Sequence, residues 1–403
     1  MKNNLILGLA IITLLSSCTT DDTADIVIND TSDNSVTNNT TTGGDPTPTP
    51  TGETIYLTGT FSTDLSLDPI NTYILNGPVI MEAGTTLTIP AGMTIKATPG
   101  GANIYIAISQ GAKIQASGTP DKPIVLTSNS STPVAGDWGG LILLGKAPVN
   151  SVASGATSTS EIGSLPYGGS DASDNSGVIQ YLRVEYSGGA ADGQSENNGL
   201  SFYGVGSGTV VQYVESFEGK DDGFEFFGGT VNVSYLYSVN NQDDSIDWTE
   251  GFSGRITNAY VKQGPDHDKG IEADGYNSDY GNNVSPKFWA NPTLTNITII
   301  GNGSSTGGEA VRLRVGTKAS LNNIYIKGFE KGFGIHGDAG DNPTGAWVLD
   351  GTLHATDVTF DDVTTKLENK TTETFTDAEF VTGDGNGTAT DFATWGAGWS
   401  RVE

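Results

Sequence analysis

Five short phrases recur along the second half of the chain, and their spacing limits the fold more than any other feature. Gly223-Phe224-Glu225-Phe226, Ser245-Ile246-Asp247-Trp248, Gly270-Ile271-Glu272-Ala273, Ala310-Val311-Arg312-Leu313 and Gly332-Phe333-Gly334-Ile335 each run small, apolar, variable, apolar. From one start to the next the steps are 22, 25, 40 and 22 residues. A second series lies between them: Val231-Asn232-Val233, Ile256-Thr257-Asn258, Leu294-Thr295-Asn296, Leu321-Asn322-Asn323 and Leu353-His354-Ala355. A unit of this length holds at least two short strands with turns, and it cannot bury its own apolar face. Stacking the units solves that. Parallel strands about 4.8 Å apart then give an all-β, right-handed parallel β-helix, a solenoid with capped ends and protruding loops. The rival, a β-propeller, needs blades of about 40–45 residues. Asn258, Asn296 and Asn323 fall at one phase of the repeat, which predicts a column of amides hydrogen-bonded from coil to coil. The step of 40 carries a long excursion, roughly Gly275 to Asn291.

Composition agrees. The 55 glycines are spread along the chain without a collagen period, and Val, Ile, Thr, Tyr and Phe come in short runs broken by turn residues. The N-terminal half reads the same way in other words, as in Gly84-Thr85-Thr86-Leu87-Thr88-Ile89-Pro90-Ala91-Gly92, Gly111-Ala112-Lys113-Ile114-Gln115-Ala116, and Gly136-Asp137-Trp138-Gly139-Gly140-Leu141-Ile142-Leu143-Leu144-Gly145. Together with Asp222-Gly223-Phe224-Glu225-Phe226-Phe227-Gly228-Gly229, these phrases resemble a family of secreted or lipid-anchored bacterial β-helix proteins frequent in Bacteroidetes. The resemblance covers most of residues 54–365. It implies the pectate-lyase-like superhelix and no particular reaction.

The N-terminus points to export. Lys2 precedes an apolar stretch from Leu5 to Leu15, too short to span a membrane as a helix. Leu15-Ser16-Ser17-Cys18 resembles a lipobox, which implies cleavage after Ser17 and a lipid anchor on Cys18. Cys18 is the only cysteine, so no intrachain disulfide is expected. Thr19-Thr20-Asp21-Asp22 resembles the acidic tag of surface-displayed Bacteroidetes lipoproteins. The expected organisation is a signal peptide over 1–17, a lipidated tether over 18–52, the β-helix over 53–365 and a C-terminal cap over 366–403. The tether is Thr-, Asp-, Asn- and Pro-rich and has too little apolar surface to fold. Phe392 to Trp399 is expected to close the last coil, since an open solenoid end needs a cap.

The formal charge of −28, from 47 acidic and 19 basic residues, argues against nucleic acid as a partner. The candidate partners are the membrane through the lipid, a glycan, or an outer-membrane protein.

Strand alternation locates the chemistry. If Phe224 and Phe226 point inward, Glu225 points outward, and stacking places Glu225, Asp247, Glu272 and Arg312 in one column. Asp274, Arg314 and His336 share the next. Asp221, Asp222, Asp243, Asp244 and Asp268 lie just before these strands. Like charges about 5 Å apart repel by roughly 0.8 kcal/mol in water and about 3 kcal/mol at an effective dielectric of 20. Calcium, which takes six to eight oxygens in irregular geometry, would offset this. The carboxylates Asp221, Asp222, Glu225, Asp243, Asp244, Asp247, Asp268, Glu272 and Asp274 are therefore candidate calcium ligands, set against a plainer reading as solvated turn residues. Tyr276, Tyr280 and Trp289 in the excursion, with Arg312 and Arg314, are candidate glycan contacts, or else the aromatics plug the loop down. An alternative reading is a polysaccharide lyase or glycoside hydrolase using Asp243, Asp244, His267 and Arg312. A structural adhesion module, or an accessory subunit of an outer-membrane complex, is a third. No signature of an organic cofactor is present. The Ser-, Gly- and Ala-rich segment from about Val149 to Ser176 offers no functional signal.

Overall fold

The computed structural model describes residues 52–191, 196–277, 283–337 and 342–401. Cys18, Asp21, Asp22, the tether up to residue 51 and Tyr280 lie outside the described residues.

The expected solenoid is what forms. Coil after coil, each strand pairs in parallel with the strand one repeat earlier, so Leu200, Phe224, Ile246, Ile271, Val311 and Phe333 stand above one another inside a right-handed parallel β-helix. All six are fully buried. Aromatic stacking continues through the interior, with Phe202 4.8 Å from Phe226 and Phe226 4.6 Å from Phe252 between ring centroids. Burying each such side chain contributes about 1.5–3 kcal/mol, which is how units with no core of their own hold together. One short antiparallel pair, Ser158–Thr159 with Pro166–Tyr167, breaks the parallel rule. It belongs to the 149–176 insertion.

The amide column forms as the spacing predicts. Asn296 Nδ2 donates to Asn258 Oδ1 at 3.0 Å, and Asn323 Nδ2 donates to Asn296 Oδ1 at 2.8 Å. These asparagines take left-handed backbone, with φ of 59°, 60° and 57°, and so turn a corner within each long strand. Asparagine tolerates that conformation better than most residues. Earlier coils put Tyr181, Tyr213 and Tyr235 at the same corner, also left-handed. Their rings stack at 4.3 and 4.2 Å, a contact that offsets the backbone cost.

The C-terminal segment does something other than the expected closure. The strand Leu353–Lys370 runs through the 365/366 boundary, and the last coil is covered by the short helix Asp377–Phe380 and the strand Val381–Asp384 paired to it. Residues 388–401 instead turn back along the outside of the solenoid. Thr388 N donates to Asn323 Oδ1, Phe392 packs on Tyr237 and Tyr260, Trp395 meets Tyr235, and Trp399 stands edge-on to Tyr181 and Tyr213. The tyrosine column is apolar surface facing outward, and these rings bury it.

Candidate functional site

The outward columns stack in the predicted order. Glu225 is in register with Asp247, Asp247 with Glu272 and Glu272 with Arg312. Ser201 precedes Glu225 and Gly334 follows Arg312, so the column runs hydroxyl, three acids, one cation, glycine. The side chains face a cleft of about 640 Å³. Beside them lie Asp221, Asp222, Asp243, Asp244 and Asp268 from the preceding turns, with Glu161 and Glu196 contributed by loops.

The turn aspartates hold the coils together with one oxygen each. Asp222 Oδ1 accepts the amide of Asp244 at 2.9 Å, and Asp244 Oδ1 accepts the amide of Lys269 at 2.6 Å. This places each Asp-Asp turn above the next and leaves a second oxygen on each carboxylate. Four triads from adjacent coils then bring carboxylate oxygens within 4.8 Å of one another: Asp221, Asp222 and Asp243; Asp222, Glu225 and Asp247; Asp243, Asp244 and Asp268; and Asp244, Asp247 and Glu272.

The two ends of this cluster are electrostatically different. At the C-terminal end, Lys269, only 4% exposed, contacts Asp268 and lies 3.0 Å from Glu272. Arg314 reaches Glu272 at 2.5 Å and Asp274 at 2.6 Å. Arg312 lies 3.5 Å from Glu272 and 2.7 Å from Glu309. Gly334 makes the last contact possible: a Cβ there would stand 1.8 Å from Glu309 Oε1, so only glycine lets that carboxylate lie across the column. Burial acts against the charge on Lys269 and Arg314, but the surrounding carboxylates outweigh it and raise both pKa values.

At the N-terminal end no described cation forms an ion pair with Asp221, Asp222, Glu225 or Asp247. Glu225 accepts one hydrogen bond, from Asn198 Nδ2 at 2.6 Å. Asp247 Oδ1 is buried and accepts none among the described residues. Burial, reinforced by Glu196 and Asp243, pushes the Asp221 carboxyl up to about 8. Burial also pushes Asp243 up, to about 6, with Asp268 adding to it. Asp222, Glu225 and Asp247 are raised well above the ordinary carboxylate range, first by burial, then by Asp247 in the case of Asp222 and Glu225 and by Glu272 in the case of Asp247. Asp244 is raised likewise, by burial and Glu272, against the pull of Lys269.

Several expected members fall elsewhere. Asp274 is drawn to Arg314 and lies outside the cleft, so it is not placed with the candidate calcium ligands. Tyr276, 7% exposed, does not line the cleft and presents no open ring to a sugar. Trp289 packs at 5.6 Å against Trp347 and over Gly316, acting as the plug rather than a glycan platform. His267 faces a neighbouring pocket with Lys262, Gln263 and Asn302, its Nδ1 3.0 Å from the Asp268 carbonyl, so it does not join Asp243, Asp244 and Arg312 in the cleft. His336 sits 3.1 Å from Glu309 Oε1, where it helps hold that carboxyl down at about 2 despite burial.

The sequence reading missed Glu161, Glu196, Lys269 and the part played by the 149–176 insertion. Asn150 Nδ2 donates to the carbonyls of Gly275 and Phe288, so the insertion and the excursion brace each other beside the cleft. Only Lys269 carried a usable signal, since it directly precedes the repeat phrase that contains Glu272.

A search among curated proteins returns no match. Across residues 59–400, however, the sequence matches the family model described as the pectate-lyase-like beta helix domain, and the chain belongs to that family.

Proposed function

We propose that the protein is a calcium-dependent carbohydrate-binding lipoprotein displayed at the cell surface, with the carboxylate cleft as its binding site. The observation that carries the calcium reading is the asymmetry of the cleft. Asp268 and Glu272 are neutralised by Lys269 and the arginines, whereas Asp221, Asp222, Glu225 and Asp247 converge with no ion-paired cation among the described residues. An all-oxygen donor set of this kind suits a hard divalent cation. The family fold supports a carbohydrate-related role, and a bound cation would turn an acidic cleft into one that tolerates a polar saccharide. Lipid on Cys18 and the acidic residues Asp21 and Asp22 supply the anchoring and display. Titrating calcium into chelator-stripped protein by calorimetry tests the site. Saturable binding that Asp247→Asn removes is the expected result, and the absence of heat above a magnesium control defeats it.

A second reading, glycoside cleavage, draws on one observation. A carboxyl that burial pushes up to about 8, as at Asp221, beside others in the same cleft is the kind of pair that serves as acid and base on a glycosidic bond. Release of reducing ends from neutral polysaccharides, lost in Asp221→Asn, would favour it. A binding protein releases none.

A further inference from the structure

Next to the carboxylate cleft lies a second cavity of about 480 Å³, and the two share Glu161 and Asn277 in their walls. Its chemistry is different. The lining is mainly hydroxyl-bearing, with Ser151, Ser158, Thr159, Ser160 and Tyr167, and it holds one deeply buried acid, Glu250. Tyr167 Oη donates to Glu250 Oε2 at 2.7 Å, and Ser151 Oγ donates to the same oxygen at 2.8 Å. Ser158 in turn hydrogen-bonds Tyr167. Both Tyr167 and Ser158 come from the antiparallel hairpin of the 149–176 insertion, so the insertion builds this cavity.

Glu250 directly follows the strand Ile246–Thr249 and takes left-handed backbone at φ 52°. By register the same corner is occupied one and two coils earlier by Gly228 and Gly204, at φ 63° and 57°. Two coils later Val315 holds the same corner at φ 49°, so the fold accepts a side chain here, at a conformational cost of about 1–2 kcal/mol. What sets Glu250 apart is that its carboxylate lines the cavity and accepts hydrogen bonds there from Tyr167 and Ser151.

We propose that Glu250, Tyr167, Ser151 and Ser158 form a subsite for one neutral sugar ring, continuous with the carboxylate cleft. Sugar hydroxyls are donors and acceptors, and a buried carboxylate flanked by hydroxyls satisfies both senses. No residue of the described lining is basic, and Glu161 and Glu250 together repel a uronate. The cavity volume falls in the range of small-molecule sites. This subsite rests on the carbohydrate-binding reading but not on calcium.

The test is calorimetric titration of the full chain, in calcium and again in chelator. The probes are short neutral gluco-, manno-, galacto- and xylo-oligosaccharides, an oligogalacturonate as the anionic arm and a chitosan oligosaccharide as the cationic arm. At least one neutral probe binds the wild type, and Glu250→Gln and Tyr167→Phe each weaken it by about tenfold or more. The thermal shift produced by calcium remains as in wild type in both variants, which also shows that they fold. Neutral binding that persists in chelator while calcium gives no shift would overturn the calcium reading and leave the subsite standing. The subsite itself is overturned if no neutral probe binds, if the anionic or cationic probe binds in preference, or if both variants bind as well as wild type.

Discussion

Glu225 and Asp247 are register partners on adjacent parallel strands, and no described cation forms an ion pair with either, while Glu272, one coil further on, is paired with Lys269 and Arg314. Identical geometry thus carries opposite electrostatics one repeat apart. The repeat dictates where the carboxylates stand, and Lys269 and the arginines decide which of them remain uncompensated.

Calcium should therefore stabilise the fold, and the two ends of the cluster should respond differently to mutation. A ligand that binds only the folded state at about 100 times its dissociation constant adds roughly 2.7 kcal/mol. In scanning calorimetry at fixed ionic strength, calcium is expected to raise the Tm of stripped wild type by a few degrees and to leave Asp247→Asn unmoved. Without metal, Asp247→Asn should be more stable than wild type by about 1–3 kcal/mol, since it removes a like-charge contact. Glu272→Gln should be less stable, because it removes one of the carboxylate partners of both Lys269 and Arg314. The reverse order for the two variants would place the cation at the wrong end.

The pH dependence follows from the raised carboxyls. Asp221, Asp222, Glu225, Asp244 and Asp247 have folded pKa values above their unfolded ones, so the folded state binds more protons wherever pH lies between the two. Stability then falls as pH rises through that window. For Asp221 the window runs from about 4 to about 8. Glu309 shifts the opposite way, but its window ends at 4.5, below the range from pH 5 to 8. Metal-free protein should melt higher at pH 5 than at pH 8, and calcium should flatten the slope by competing with protons. A metal-free Tm that climbs from pH 5 to 8 contradicts the assignment.

Asn296 sits in the middle of the amide ladder, bonded to Asn258 on one side and Asn323 on the other. Replacing it with alanine loses two hydrogen bonds and puts a Cβ-bearing residue without a local polar partner at left-handed φ. The expected cost is about 2–4 kcal/mol. Glycine at the same position keeps the backbone free and should cost about half as much. Urea titrations separate the two, and equal losses would mean that the corner's backbone conformation contributes nothing.

Cys18→Ser should move the protein from the membrane fraction to the soluble exported fraction and abolish incorporation of labelled fatty acid. Asp21→Ala with Asp22→Ala should leave the lipid in place but protect the protein from protease added to intact cells. Unchanged labelling in Cys18→Ser would remove the anchor from that residue.

Periodic features were the legible ones. Phe224 and Phe226 inward with Glu225 outward follows from strand alternation, and the Asn258, Asn296 and Asn323 column follows from shared phase in the repeat. Features set by non-repeating chain were not legible. Glu161 reaches the cleft from a hairpin more than sixty residues before its neighbour Glu225, and nothing local marks it as acidic for a purpose. Trp289 and Tyr276 could be read as glycan contacts or as a plug because the excursion has no period, so its inner and outer faces could not be told apart. Glu250 reads as an ordinary turn acid until its hydrogen bonds from Tyr167 and Ser151 are seen.

The return of residues 388–401 over the tyrosine column changes how the molecule can come apart. A solenoid whose coils touch only their neighbours can fray from either end, losing one repeat at a time. Here Arg183 Nη1 donates to the Trp399 carbonyl, Arg401 N donates to Glu215 Oε2, and Arg401 Nη1 reaches Glu185, so contacts span 186 to 216 residues. Loss of the final coils therefore loosens early ones, and the array behaves more like a hoop than a stack. The Tyr181, Tyr213 and Tyr235 rings are covered only once Trp395 and Trp399 dock on them.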